Sequence, residues 1–224
     1  MPLPSGLPEF AVIVYLHGFA SSAKSTKAGY FAERLRARGV GFLCPDFNEP
    51  DFRSLTMTRM LDQLAREIDR TDEATVTLMG SSLGGTLAIL GAERLGSKVE
   101  SVILMAPAVM FAKPGHHLLP PERIDEWRQR RELPFFHYAY NEERPLSVDF
   151  YEDSLGHDAF GASFTQPTLI FQGQHDASVD PGTVEQFARN RRNVTLSVLD
   201  DDHQLIASLP RMWADVEAFL GLVD

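Results

Sequence analysis

Six short stretches of this chain are apolar and rich in β-formers: residues 10–16, 40–44, 74–79, 99–105, 168–172 and 194–199. The first, Phe10 to Leu16, is uninterrupted, as in a strand covered on both faces. Between them the spacing changes from two to about 3.6. Lys27 to Arg38 reads as a helix, with Ser25 or Thr26 as cap and Gly39 as stop. Met57 to Ile68 puts Met57, Leu61, Leu64 and Ile68 on one helical face. Residues 83–95, 181–191 and 209–222 continue the helical series. Strands that alternate with helices imply right-handed crossovers and a parallel sheet.

From Pro107 to Gln166 the alternation stops, and prolines, histidines and aromatics appear without clear strand signals. Short helices are expected around 121–131 and 148–154. The segment reads as an insertion over the carboxyl edge of the sheet, where ligands bind in such folds. The expected architecture is α/β: one domain over 1–224, about six mostly parallel strands, helices on both faces, and a helical cap at 107–166. A chain of 224 residues, 44% of them hydrophobic, suits one domain with a full core.

The net charge of −10 repels phosphate backbones, which argues against nucleic-acid and anionic-membrane partners. The short basic clusters at Arg128–Arg131 and Arg189–Arg192 read as solvated helix ends. With Cys44 as the single cysteine, no intrachain disulfide is possible, which fits a reducing compartment. The start, Met1 to Pro8, lacks a basic region and is proline-rich, and no apolar run approaches the ~20 residues of a membrane span. A soluble cytoplasmic protein is expected; its oligomeric state is left open.

Chemistry concentrates at Gly80-Ser81-Ser82-Leu83-Gly84. The pentapeptide follows a strand pattern and opens a helical one. A sharp strand-to-helix turn forces its central residue into a strained conformation and pushes that side chain out of the sheet. The flanking glycines avoid Cβ collisions there. A serine hydroxyl needs a base in reach, and the base needs an orienting acid. The carboxyl ends of later strands offer both: Asp176 in the loop after 168–172, and His203 after 194–199. Two backbone N–H groups suit an oxyanion, Leu83 after the serine and Phe19 in the His17-Gly18-Phe19-Ala20 loop. His17 itself reads as a structural residue that holds this loop.

The run ending in His17-Gly18, the Gly80–Gly84 elbow, the Gly173–Val179 loop and Asp202-His203 resemble the α/β-hydrolase superfamily over nearly the whole chain outside the insertion. The Gly-Ser-Ser-Leu-Gly-Gly elbow and the Leu-His-Gly-Phe-x-Ser-Ser run look like small single-domain esterases. Two branches fit: bacterial esterases of the uncharacterised family 0227 type, and the mitochondrial abhydrolase that acts as a thioesterase and acyl-glucuronide esterase. The chain departs from the full family pattern by lacking its two opening antiparallel strands. The resemblance implies a Ser82–Asp176–His203 triad that cleaves small to medium acyl esters or thioesters, with no cofactor. A peptidase or amidase on the same groups, or a non-catalytic binding protein on this fold, are the alternatives. Serine at the elbow excludes the aspartate-based dehalogenases and epoxide hydrolases, and Cys44 stands on the wrong strand for a dienelactone hydrolase. Ser21, Ser22, Phe135, Phe136 and Tyr138 are candidate pocket residues. His116-His117 lacks a third ligand, so no metal is expected. Asp200, Asp201 and Asp202 are candidates to raise the basicity of His203.

Overall fold

A computed structural model describes residues 12–113, 115–116 and 118–222. Phe10, Ala11 and the proline-rich start lie outside them, as does His117. In chain order the framework is β1 (Val12–Leu16), α1 (Thr26–Ala37), β2 (Phe42–Leu43), α2 (Met57–Asp69), β3 (Val76–Ser81), α3 (Leu83–Leu95) and β4 (Val99–Met105). After a longer segment come β7 (Thr168–Gly173), α6 (Pro181–Arg189), β8 (Val194–Leu199) and α7 (Leu209–Phe219). Each falls within a residue or two of its predicted range except β2, where only two residues pair, and α7, which ends three residues early. The helix caps follow local chemistry: the Ser25 hydroxyl accepts from the Ala28 N–H, and the Thr56 hydroxyl from that of Arg59.

The main sheet has the order β2-β1-β3-β4-β7-β8, and every described pair in it is parallel. Period-two alternation divides its side chains between two cores. Ile13, Tyr15, Met79, Ile103 and Phe171 pack under α1 and α7. Val14, Leu16, Leu78, Val102, Leu104 and Ile170 pack against α2, α3 and α6. This is the α/β architecture anticipated from the chain pattern, a parallel sheet with helices on both faces.

The segment between β4 and β7 holds the two expected short helices, α4 (Pro121–Arg130) and α5 (Asp149–Ser154). It also holds a hairpin where no strand was anticipated. β5 (Glu132–His137) pairs antiparallel with β6 (Glu142–Ser147), forming a separate two-stranded sheet. The hairpin reaches the main body at its tip, where the Tyr138 N–H donates to the Ala20 carbonyl (2.9 Å). At its other end the Ser147 N–H donates to the carbonyl of Arg53 (2.9 Å). Beneath it Trp127 is fully buried, with its indole N–H on the Leu146 carbonyl (2.9 Å).

The first basic cluster lies in solvent, but in the second Arg191 is half-buried: it donates to the carbonyls of Phe187 and Ala162 and lies over the Phe187 ring, because the side chain folds back onto the segment before β7. Arg128, Arg130 and Arg131 pair with Asp125, Glu126, Asp149 and Glu152 on exposed surfaces. No described helix is long and apolar enough to cross a membrane. Cys44 is half-buried, and burial with nearby Asp46 pushes its thiol pKa up to about 12, so it is a poor nucleophile.

Candidate active site

Ser82 stands between β3 and α3 with φ 55° and ψ −116°, a left-handed region that a non-glycine residue adopts at a cost of ~1–3 kcal/mol. Surrounding hydrogen bonds impose it. The Ser82 N–H donates to the carbonyl of Met105 (2.9 Å), and the Ser82 carbonyl accepts from Gly85 (2.8 Å) and Ala108 (3.1 Å). The turn is also too tight for side chains beside it. A Cβ on Gly80 would sit 2.2 Å from the Gly84 carbonyl oxygen, and one on Gly84 would sit 1.9 Å from that of Leu16. Glycine is required at both positions by the close approach of backbones.

The strained turn turns the Ser82 hydroxyl toward His203, whose Nε2 lies 3.1 Å from Oγ. Nδ1 of His203 lies 2.8 Å from Oδ2 of Asp176. An ionised carboxylate only accepts, so the network assigns the proton to Nδ1 and leaves Nε2 as acceptor for the serine hydroxyl. The Asp176 side chain is fully buried. Its Oδ1 accepts from the Ser178 and Val179 N–H groups (2.8 Å each), and its Oδ2 from the Gln172 amide (2.9 Å). Burial opposes its ionisation, but the hydrogen bonds from His203, Val179 and Ser178 prevail and hold the carboxyl below the usual carboxylate range.

The loop after β1 approaches from the other side. His17 is buried; its Nε2 accepts from the Phe47 N–H (3.0 Å), and its Nδ1 lies 3.0 Å from the Gly18 carbonyl. Asn48 extends the brace, donating to the Ser21 carbonyl (2.8 Å) and lying 3.0 Å from Nε2 of His137 on the hairpin. The Phe19 ring is anchored against Phe52, Phe135 and Phe150 at centroid distances of 5.4–5.7 Å. Among the described residues no turn, loop or cap hydrogen bond takes up the backbone N–H of Phe19 or of Leu83. Both residues border the cavity above Ser82.

That cavity has a volume of about 1380 Å³. Val109, Met110, Phe111 and Leu118 supply an apolar wall; Ser21, Ser22, Ser25 and Lys27 supply a polar one. Of the pocket candidates, Ser21, Ser22 and Tyr138 border it. Phe135 and Phe136 are not among its lining residues: Phe135 packs on Phe19 and Trp127, and Phe136 is exposed on the hairpin. His116 also lines the cavity, and among the described residues no three His, Cys, Asp or Glu side chains converge in a metal-holding group. The acidic run after β8 serves its own loops. Asp200 pairs with His175, Asp201 accepts from the Ser208 N–H, and Asp202 accepts from that of Gln204.

Two residues near the site escaped the sequence reading. Gln172 is a fully buried polar residue that follows the apolar run Leu169–Phe171 in β7, and it holds Asp176. Lys27 stands one helical turn before Phe31 and two before Leu35, in the apolar stripe of α1, and is buried there. In each case the legible signal was a polar side chain in an apolar row.

A model of the uncharacterised protein family UPF0227 matches residues 12–220. The bifunctional biotin biosynthesis protein BioHC of Teredinibacter turnerae is 34% identical over 112 residues. That match takes in 47% of this chain and only 19% of the relative's length, so the chain corresponds to about a fifth of that protein. Among solved structures, Est1E from Butyrivibrio proteoclasticus, with ferulic acid bound, superposes with a TM-score of 0.81 at 22% identity, covering 95% of this chain and 89% of Est1E. Mouse alpha/beta hydrolase domain-containing protein 10 gives a TM-score of 0.77 at 21% identity, with 98% and 92% covered. At these identities the likeness is one of fold, and the fold is that of the α/β-hydrolases.

Proposed function

This chain belongs to the uncharacterised protein family UPF0227, and from that premise we propose that it is a serine hydrolase that cleaves carboxylic esters or thioesters through an acyl-enzyme. The observation that carries the reading is the unbroken hydrogen-bonded chain from Ser82 through His203 to Asp176 at the mouth of a large cavity. A serine in a strained elbow, a neutral imidazole whose free nitrogen faces it, and a buried carboxylate behind are the parts an acyl transfer needs. The hydrolase fold shared with Est1E and the mouse protein gives the reading further support.

In this reading His203 Nε2 takes the proton from Ser82 as Oγ bonds to the substrate carbonyl carbon. Asp176 keeps the proton on Nδ1 and stabilises the imidazolium. The Phe19 and Leu83 N–H groups donate to the oxygen that becomes negative, where each donor is worth ~2.7–4 kcal/mol. The carbon–oxygen or carbon–sulfur bond to the leaving group then breaks, and that group departs with the proton from Nε2. Water attacks the acyl-enzyme, yields its proton to Nε2, and Ser82 recovers it as the acid leaves. The apolar wall at Val109–Phe111 suits the acyl chain.

The test is Ser82→Ala. Turnover should fall by at least ~10³ with the circular dichroism spectrum unchanged, and an organophosphonate should label Ser82 in the native protein alone. Retained turnover excludes the mechanism. Parallel assays on p-nitrophenyl esters, acyl thioesters and peptide anilides separate the ester reading from a peptidase, and silence on all of them with an unlabelled Ser82 favours a binding protein.

A further inference from the structure

Lys27 is a costly residue where it stands. It lies in the first turn of α1, where the helix dipole opposes a cation. Only 8% of it is exposed, and among the described residues no carboxylate lies within ion-pair distance of its ammonium. Burying an ammonium without a close ion-pair partner is expensive, and an apolar side chain would complete the stripe formed with Ala28, Phe31 and Leu35. Its Nζ donates to the carbonyl of Gln204 (2.9 Å), 177 positions away in sequence and next to His203.

The His203 loop gives that bond its meaning. It runs from Asp200 to Ser208, and most of its bonds close within itself: Asp201 takes the Ser208 N–H and Asp202 that of Gln204. The residue after Gln204, Leu205, is buried with φ 56°. From the neighbouring loop the His175 N–H donates to the Asp201 carbonyl. Lys27 ties the loop to α1, at the peptide that follows the imidazole.

Resting on the serine-hydrolase reading, we infer that Lys27 is a positioning residue, whose grip on the Gln204 carbonyl holds the His203 imidazole between Ser82 and Asp176. The charge strengthens the grip, since a charged donor makes a stronger hydrogen bond than a neutral one. Burial pushes the lysine pKa down to about 8, while Asp176 from the loop after β7, and Asp202 and Asp201 from the loop after β8, push the other way. Near pH 7 the ammonium is the major form; above pH 8 the grip weakens.

The experiment uses Lys27→Met, which keeps the length and apolar stem but removes the donor, beside Lys27→Arg, which keeps a permanent cation. For Lys27→Met, kcat and the rate of Ser82 labelling by a fluorophosphonate should both fall about 10–100-fold, the loss expected from a displacement near 1 Å. Although Lys27 borders the cavity, its ammonium is engaged by the Gln204 carbonyl, so a positioning role predicts a KM within about threefold of the wild type. The melting temperature should hold or rise. Lys27→Arg should recover part of the lost kcat and remove the wild type's decline in kcat above pH 8. Unchanged kcat in Lys27→Met overturns the proposal. So does a rise in KM alone, which makes the lysine a substrate contact, and so does loss of activity together with the fold, which makes it structural. Ser82→Ala is assayed alongside: if it turns over, the hydrolase reading falls; if it is inactive while Lys27→Met is normal, only the role of the lysine falls.

Discussion

Gly84→Ala adds one methyl group at the most crowded of the described glycines. The new Cβ would lie 1.9 Å from the carbonyl oxygen of Leu16, 2.6 Å from its carbon and 2.8 Å from the carbonyl oxygen of His17. All three are backbone atoms at the end of β1, so no side chain can swing aside. The first turn of α3 must retreat by roughly 1.4 Å to restore a carbon–oxygen contact of about 3.3 Å. Overpacking of this kind costs ~1–3 kcal/mol, and the better helix propensity of alanine returns up to ~1 kcal/mol. We expect a net loss of about 1–2 kcal/mol in stability. The retreat also carries the Leu83 N–H away from Phe19, and a shift near 1 Å can lower turnover about 10²-fold. Gly29→Ala is the control: it lies on the exposed face of α1 with nothing within 4 Å of the added carbon. The same chemical change there should stabilise by ~0.5–1 kcal/mol. Urea unfolding followed by circular dichroism measures both, with p-nitrophenyl ester turnover for activity. A Gly84→Ala protein that unfolds at or above the wild-type midpoint and turns over normally refutes the account of the elbow.

Asp176→Asn keeps the shape but lets an amide face Nδ1, so the imidazole tautomer is no longer enforced; kcat should fall about 10³-fold or more, and a smaller drop would assign the orienting role elsewhere. The same carboxyl shapes acid stability. Its folded-state pKa lies below the ordinary value, so its contribution is whole above about pH 4 and drains away as pH falls through the lower folded value. Acid unfolding of Asp176→Asn should therefore be flatter across that window, and curves of equal slope would contradict the depressed pKa. Trp127→Ala empties a fully buried site and removes the indole donor of the Leu146 carbonyl. It should cost ~3–5 kcal/mol, lowering the melting midpoint by roughly 6–20 °C; an unshifted midpoint would mean that the insertion melts apart from the sheet.

The framework was legible because the central strands of the main sheet are buried on both sides and most of its helices on one. Burial leaves its period in the residue order, so the strands from Val12, Val76, Val99, Thr168 and Val194 were found nearly to the residue. The elbow was legible for a related reason: Gly80 and Gly84 are demanded by local backbone crossings. The hairpin was not. Its strands carry Pro134 opposite Pro145; β6 exposes four of its six side chains, and β5 buries a histidine while exposing a phenylalanine, so no apolar-polar alternation marks them. It is held by docking onto Ala20 and Arg53, neither of which is local in sequence.

Residue order alone marked Ser82, Asp176 and His203 as singular, because each follows a strand and a parallel sheet gathers such ends along one edge. The separations of 3.1 and 2.8 Å were beyond its reach, since they depend on strand register and on two loops whose shapes are set by neighbours far along the chain. Phe135 shows the same division. Its apolar character was plain, yet whether it lines the cavity or buttresses Phe19 is settled by which surface meets it in space. Lys27 and Gln172 stood out only as polar side chains in apolar rows. That one reaches the peptide after His203 and the other the Asp176 carboxylate follows from packing across the sheet, which a one-dimensional pattern does not encode.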